Sequence, residues 1–131
     1  MHITAASNFI EVAILGNEEG GQETKERLES LMLEGETIVI ATGGDGGGAL
    51  FTDRRLILVN EAGLFTKRSV VRFLRASAID AVSIDASSLL EVKIAGSGFG
   101  TAHLIFDPSL DAARLARWFG ETMNGKHSTG T

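Results

Sequence analysis

Leu50 to Arg75, LFTDRRLILVNEAGLFTKRSVVRFLR, constrains the fold more than any other part of the chain. Leu56, Ile57, Leu58 and Val59 are bulky or branched residues favoured in strands, and Asn60-Glu61-Ala62-Gly63 supplies turn chemistry in which Gly63 can take a positive φ. The stretch therefore reads as a β-hairpin. Beyond its turn, Val71 and Phe73 share one face while Arg68 and Arg72 share the other, since successive strand side chains point to opposite sides. On this alternation Phe73 is expected in the core.

Three shorter runs extend the pattern. Thr52 to Leu56 reads TDRRL and leads into ILVNEAGL and a basic strand; Leu33 to Glu36 reads LEGE, and Ile14 to Asn17 reads ILGN. Over roughly residues 14 to 120 this resembles the bacterial pleckstrin-homology (PH) domain families, relatives of the PH and GRAM domains. The resemblance implies a PH-like antiparallel β-barrel of six or seven strands capped by a C-terminal α-helix. It also implies ring-like homo-oligomers.

At 131 residues the chain is expected to form one domain, able to bury roughly two-thirds of its unfolded surface without a metal or disulfide. It has no cysteine, which rules out disulfides, thiolate chemistry and Cys-based zinc sites. No run approaches the ~20 apolar residues of a membrane span, and Met1 to Gly16 lacks the basic start and long apolar stretch of a secretory signal. A soluble, cytoplasmic protein is the expectation. The net charge of -5 argues against nucleic-acid binding, which depends on neutralising many phosphates.

Charge is unevenly spread. Residues 1 to 36 hold eight acids against Lys25 and Arg27, whereas residues 54 to 75 hold six bases against Glu61. Such polarity could steer two copies together, or let an acidic helix lie over a basic sheet within one copy.

Residues 1–21 match neither helical nor strand periodicity and are expected to form a partly ordered arm. Residues 22–123 make the domain, and 124–131 a frayed polar tail. Leu28, Leu31 and Met32 fall at helical spacing among charged residues, predicting an amphipathic helix over 22 to 33 that ends at Gly35. Thr37 to Thr42 reads as a first strand. The following run, Gly43 to Gly48 with Asp45, is no phosphate loop: no Gly-Lys-Ser/Thr follows it and it opens a strand, not a helix. A flexible hairpin loop is expected. In eukaryotic PH domains the first hairpin carries the basic residues that grip phosphoinositides; Thr37 to Phe51 holds no Lys or Arg, which counts against lipid binding.

Ile79 to Asp85, Leu89 to Ala95 and Thr101 to Phe106 read as further strands, giving a meander that closes on itself. Asp107-Pro108-Ser109 then starts a helix, with Ser109 as N-cap and Gly120 or Gly125 as terminator. Its stripe comprises Ala112, Leu115, Ala116, Phe119 and Met123, with Trp118 at the margin. Such a helix can plug the open end of a barrel.

No catalytic constellation is present. His2, His103 and His127 are scattered, no serine has a GxSxG context, and there is no tyrosine. His103 reads as structural, and Asp53 as fixing a strand entrance by pairing locally with its arginine neighbours. No cofactor or metal is implied. The best binding candidates are Arg54, Arg55, Lys67, Arg68, Arg72 and Arg75, since guanidinium groups suit bidentate capture of carboxylate or phosphate. Several strands are apolar on both faces, yet a barrel hides only its inner face. The 22–33 helix hides some of the remainder, and a second copy is expected to hide the rest. The sequence thus points to a non-catalytic module that self-associates and docks a protein partner. The alternative is a peripheral adaptor whose basic surface binds anionic lipid; a weaker one is a small-molecule site at the barrel mouth.

Overall fold

A computed structural model describes residues 8–62 and 68–124. Among these, eight strands form two four-stranded sheets. The first has the order β1 (Asn8–Ile14), β8 (Gly100–Phe106), β7 (Leu90–Gly96), β6 (Ala81–Asp85); the second runs β2 (Ile38–Gly44), β3 (Gly47–Thr52), β4 (Arg55–Ala62), β5 (Arg68–Arg75). Helix α1 (Gln22–Glu29) lies between β1 and β2 in sequence, and α2 (Ala112–Met123) follows β8. This is the expected PH-like barrel with its C-terminal helix, although the hydrogen-bond ladder does not run unbroken around it. Among the described residues an isolated antiparallel bridge, Asn17 to Gly43, links the segment after β1 to β2, and the two sheets pack on each other through the shared core.

The central hairpin forms, with Arg55 to Ala62 paired antiparallel to Arg68 to Arg75, but Asn60, Glu61 and Ala62, expected in its turn, extend β4 and pair with Val70, Ser69 and Arg68. Its turn, including Gly63 and Lys67, lies outside the described residues, as do most of the tail and the Gly125 stop. Residues 8–14, placed in the arm by sequence pattern, form β1. That strand runs parallel to β8, with Asn8 opposite Thr101, and its register is irregular. Its partner lies some ninety residues away, so no local pattern announces it.

The glycine run is hairpin strand rather than loose loop: Gly43 and Gly44 end β2, Gly47 and Gly48 begin β3, and only Asp45-Gly46 turns. The glycines are needed because another segment crosses them at backbone distance. Gly16 sits at φ +73° where an added Cβ would lie 2.0 Å from the Gly43 carbonyl oxygen, and Asn17 and Gly43 exchange backbone hydrogen bonds of 3.2 and 2.9 Å. The Asn17 side chain accepts from the Glu19 and Gly20 N–H groups, holding that crossing bend in place.

Helix α1 settles the cover problem posed by the two-faced strands. Leu28 packs on Leu50, Ile57 and Val59 from the outer face of β3 and β4, with Met32, Ile38, Ala41 and Val71 around them. Ala49, Phe51, Leu56, Leu58 and Leu74 point the other way into the main core. The chain therefore covers most of its own outer sheet, and a second copy is not required for that purpose. The acidic helix lies over the basic sheet of the same molecule. Lys25 reaches back to the Glu18 carbonyl, and Arg27 contacts the Ser69 hydroxyl at 3.3 Å.

Helix α2 stoppers the end of the barrel where β3, β5 and β8 finish. Its N-cap is Asp111, which accepts from the Ala113 and Arg114 N–H groups. Ser109 does not cap, because Asp107 draws residues 107–110 into a turn of their own by accepting the Ser109 N–H. Gly120 lies within the helix. The buried stripe is Leu115, Trp118, Phe119 and Thr122, rotated from expectation so that Ala116 and Met123 face out and Trp118 is central. Trp118 packs edge-on against Phe51 and Phe119, with ring centroids 5.1 and 5.0 Å away, and its indole N–H donates to the Thr52 carbonyl at 2.8 Å. No helix among the described residues is long and apolar enough to cross a membrane.

Candidate binding surface

Thr52 ends β3 and organises the tight connection to β4. Its hydroxyl oxygen accepts from the Arg54 and Arg55 N–H groups at 3.1 and 3.0 Å while donating to Glu36 at 2.6 Å. Asp53 does fix this entrance, but through the backbone: its carboxylate accepts the Thr37 N–H and its own N–H reaches the Thr37 carbonyl. The carboxylate that pairs with Arg55 is instead Glu36, nineteen residues upstream.

Glu36 has no exposed side-chain surface and Arg55 only 18%. The carboxylate accepts Nε and Nη2 of Arg55 at 2.9 and 3.0 Å, in the bidentate geometry that guanidinium favours, and also the Leu33 N–H at 2.9 Å. Burial pushes its pKa up, but the hydrogen bonds from Arg55, Thr52 and Leu33, with the Arg55 charge, outweigh that and lower it from 4.5 to about 2. Arg55 in turn donates to the Leu31 carbonyl at 3.0 Å and lies over the Phe73 ring, 5.1 Å from its centroid.

An apolar patch gathers around this anchored guanidinium. Phe73 is 48% exposed, Leu33 56% and Leu31 37%, and each adjoins Arg55 or its Glu36 partner. Exposed Arg54 and Arg75 stand at the rim; Arg75 is the cross-strand neighbour of Arg55. Phe73 is thus on the outer face, not in the core as its alternation implied. The cause is register: Leu74 pairs with inward Leu56, so Phe73 falls opposite outward Ile57. With apolar residues on both faces of β4, Leu74 was the only available cue.

Of the six expected basic residues, the four whose side chains are described do not share one surface. Arg54 and Arg75 are exposed on the outside, and Arg55 is committed to Glu36. Arg72 is half-buried opposite Leu58, whose side chain lies in the main core. Lys67 lies outside the described residues, and for Arg68 only the backbone, paired with Ala62, is described. No local pattern announces the Glu36–Arg55 pair, which joins the loop after α1 to the start of β4. His103 bonds Glu91 at 2.8 Å on the outer face of the first sheet, beside an apolar cleft of about 470 Å³ lined by Ala81, Ser83, Ala95 and Thr101. The barrel end beneath α2 is filled by Phe51, Trp118 and Phe119.

Two facing, mainly antiparallel sheets with a tryptophan-bearing C-terminal helix in the barrel end make up the PH-like fold. The chain belongs to the bacterial PH domain family, whose pattern it matches over residues 11–98. Among solved structures it is similar to a DUF1696-family protein with a pleckstrin-homology domain from Shewanella loihica PV-4 (TM-score 0.64, 19% identity, 76% of this chain and 90% of that one). It is also similar to a pleckstrin-homology domain from Shewanella amazonensis SB2B (TM-score 0.58, 18% identity, 74% and 82% of the two chains). These likenesses establish the fold. The search of curated proteins found no match.

Proposed function

We propose that this domain is a non-catalytic binding module that docks a protein through the Leu31–Leu33–Phe73 surface, and that copies of it self-associate there. One observation carries this reading. A large aromatic ring is held half-exposed under a guanidinium that is itself fixed by a buried carboxylate, so little side-chain freedom remains to be lost when a partner closes over it. Arg54 and Arg75 supply a polar rim suited to carboxylates. The lipid-binding alternative has less support, since Arg55 is already paired and Arg72 lies on the inner side of the sheet.

A photo-cross-linking residue placed at Leu33 in the native host tests both halves at once. Adducts at twice the domain mass report self-association, and adducts of another discrete mass report a partner; both are expected to vanish on Phe73→Glu. Adducts that persist in Phe73→Glu, or none at all, overturn the proposal. Light scattering that gives a strict monomer at high micromolar concentration removes the self-association half.

A further inference from the structure

The outer face of the first sheet holds a depression with a polar side and an apolar side, and strand register builds it. Ser83, Lys93 and His103 stand opposite one another across β6, β7 and β8, and a neighbouring outward row is Ala81, Ala95 and Thr101. Small side chains in the second row, flanked by the longer Lys93 and His103 in the first, leave the cleft of about 470 Å³. That lies within the roughly 300–1,000 Å³ usual for small-ligand sites. From β6 to β8 the cleft is about 10 Å across.

The polar row sets the charge of a ligand. His103 is engaged by Glu91 at 2.8 Å, and Asp85 is turned to the Ser87 N–H and hydroxyl at 3.0 and 2.6 Å. Lys93 enters no hydrogen bond or ion pair among the described residues, although Asp85 feels its charge, and the Ser83 hydroxyl has no hydrogen-bond partner there either. One ammonium and one hydroxyl are therefore left to meet one anionic group. The row on the far side brings Asp85 and Glu91, which disfavours a polyanion or an anionic bilayer. No phenyl or indole ring lines the cleft, so the body it accepts is aliphatic rather than aromatic.

We infer that this cleft binds a free aliphatic monocarboxylate, with its carboxylate at Lys93 and Ser83 and its chain over Ala81 and Ala95. The site is on the other sheet from Phe73 and stands or falls independently of the docking surface.

Octanoate is the probe, with octylammonium as the control of opposite charge and benzoate as the aromatic control. In amide NMR spectra octanoate is expected to shift Ser83, Lys93 and Ala95 and to leave Val71 and Phe73 in place, while both controls move none of them. Lys93→Glu is expected to raise the dissociation constant about tenfold. Ala95→Leu, which fills the cleft from an outward position, is expected to abolish the shifts. Both changes lie on the outer face, and thermal melts should show each variant folded.

Absence of octanoate shifts at these amides overturns the inference, as does equal binding of octylammonium or benzoate. Binding that survives Ala95→Leu places the ligand elsewhere and overturns it too. Phosphatidylglycerol vesicles that shift these amides when octanoate does not would assign the face to a membrane, with the same consequence.

Discussion

A buried carboxylate is costly unless its charge is met, and Glu36 meets it with four donors: the Leu33 N–H, the Thr52 hydroxyl, and Nε and Nη2 of Arg55. Because the folded pKa is depressed, its stabilisation is complete above the ordinary value of 4.5 and is lost as pH falls towards about 2. A depression of that size corresponds to roughly 3 kcal/mol. Urea titrations at pH 7 and pH 3 should show Glu36→Gln about 3 kcal/mol less stable at the higher pH and much closer to the wild type at the lower. Some acid slope should survive in the variant, since Asp85 is held below the usual range by the Ser87 hydroxyl and N–H, and Asp107 by the Ser109 N–H and hydroxyl. Gly16 is another residue at which a change is costly. Gly16→Ala combines a left-handed backbone, about 1–2 kcal/mol for a residue with a Cβ, with a clash against Gly43 of similar size. Thermal melts should show a loss of about 2–5 kcal/mol, while Gly98→Ala, with open space around it, stays within about 0.5 kcal/mol.

At the scale of elements, α1 is a lid on the outer sheet rather than a peripheral helix. Leu28→Ala should cost about 2–5 kcal/mol and raise binding of an apolar dye, because Leu50, Ile57 and Val59 lose their cover. Order and type of most elements were legible in sequence, because strand alternation and helical spacing are local signals and the turns are marked by glycine. What escaped was whatever depends on distant partners. The parallel pairing of β1 has no signature in residues 8–14, and the glycine run looked loose because the segment crossing it lies over twenty residues upstream. The proposed docking surface was half-legible: the arginines were visible, but whether Phe73 or Leu74 turned outward depended on the register with β4. Arg55 looked like a free ligand because its partner sits in a loop nineteen residues upstream.

For the whole molecule, the acidic and basic halves are folded against each other, so charge polarity along the chain does not by itself require a second copy. Phe73 is the better reporter of assembly. Its ring is half in solvent, so Phe73→Glu should leave stability within about 1 kcal/mol while lowering the mass seen by light scattering wherever the wild type exceeds a monomer. The parallel seam between β1 and β8 bears on how the molecule is made. β1 leaves the ribosome some ninety residues before its partner is completed at Phe106, so the seam between them must wait for most of residues 8–106 to be synthesised. Until then Ile10 and Ala13, buried in the finished protein, stay uncovered. Nascent chains halted before Thr101 should therefore be the species that chaperones hold longest.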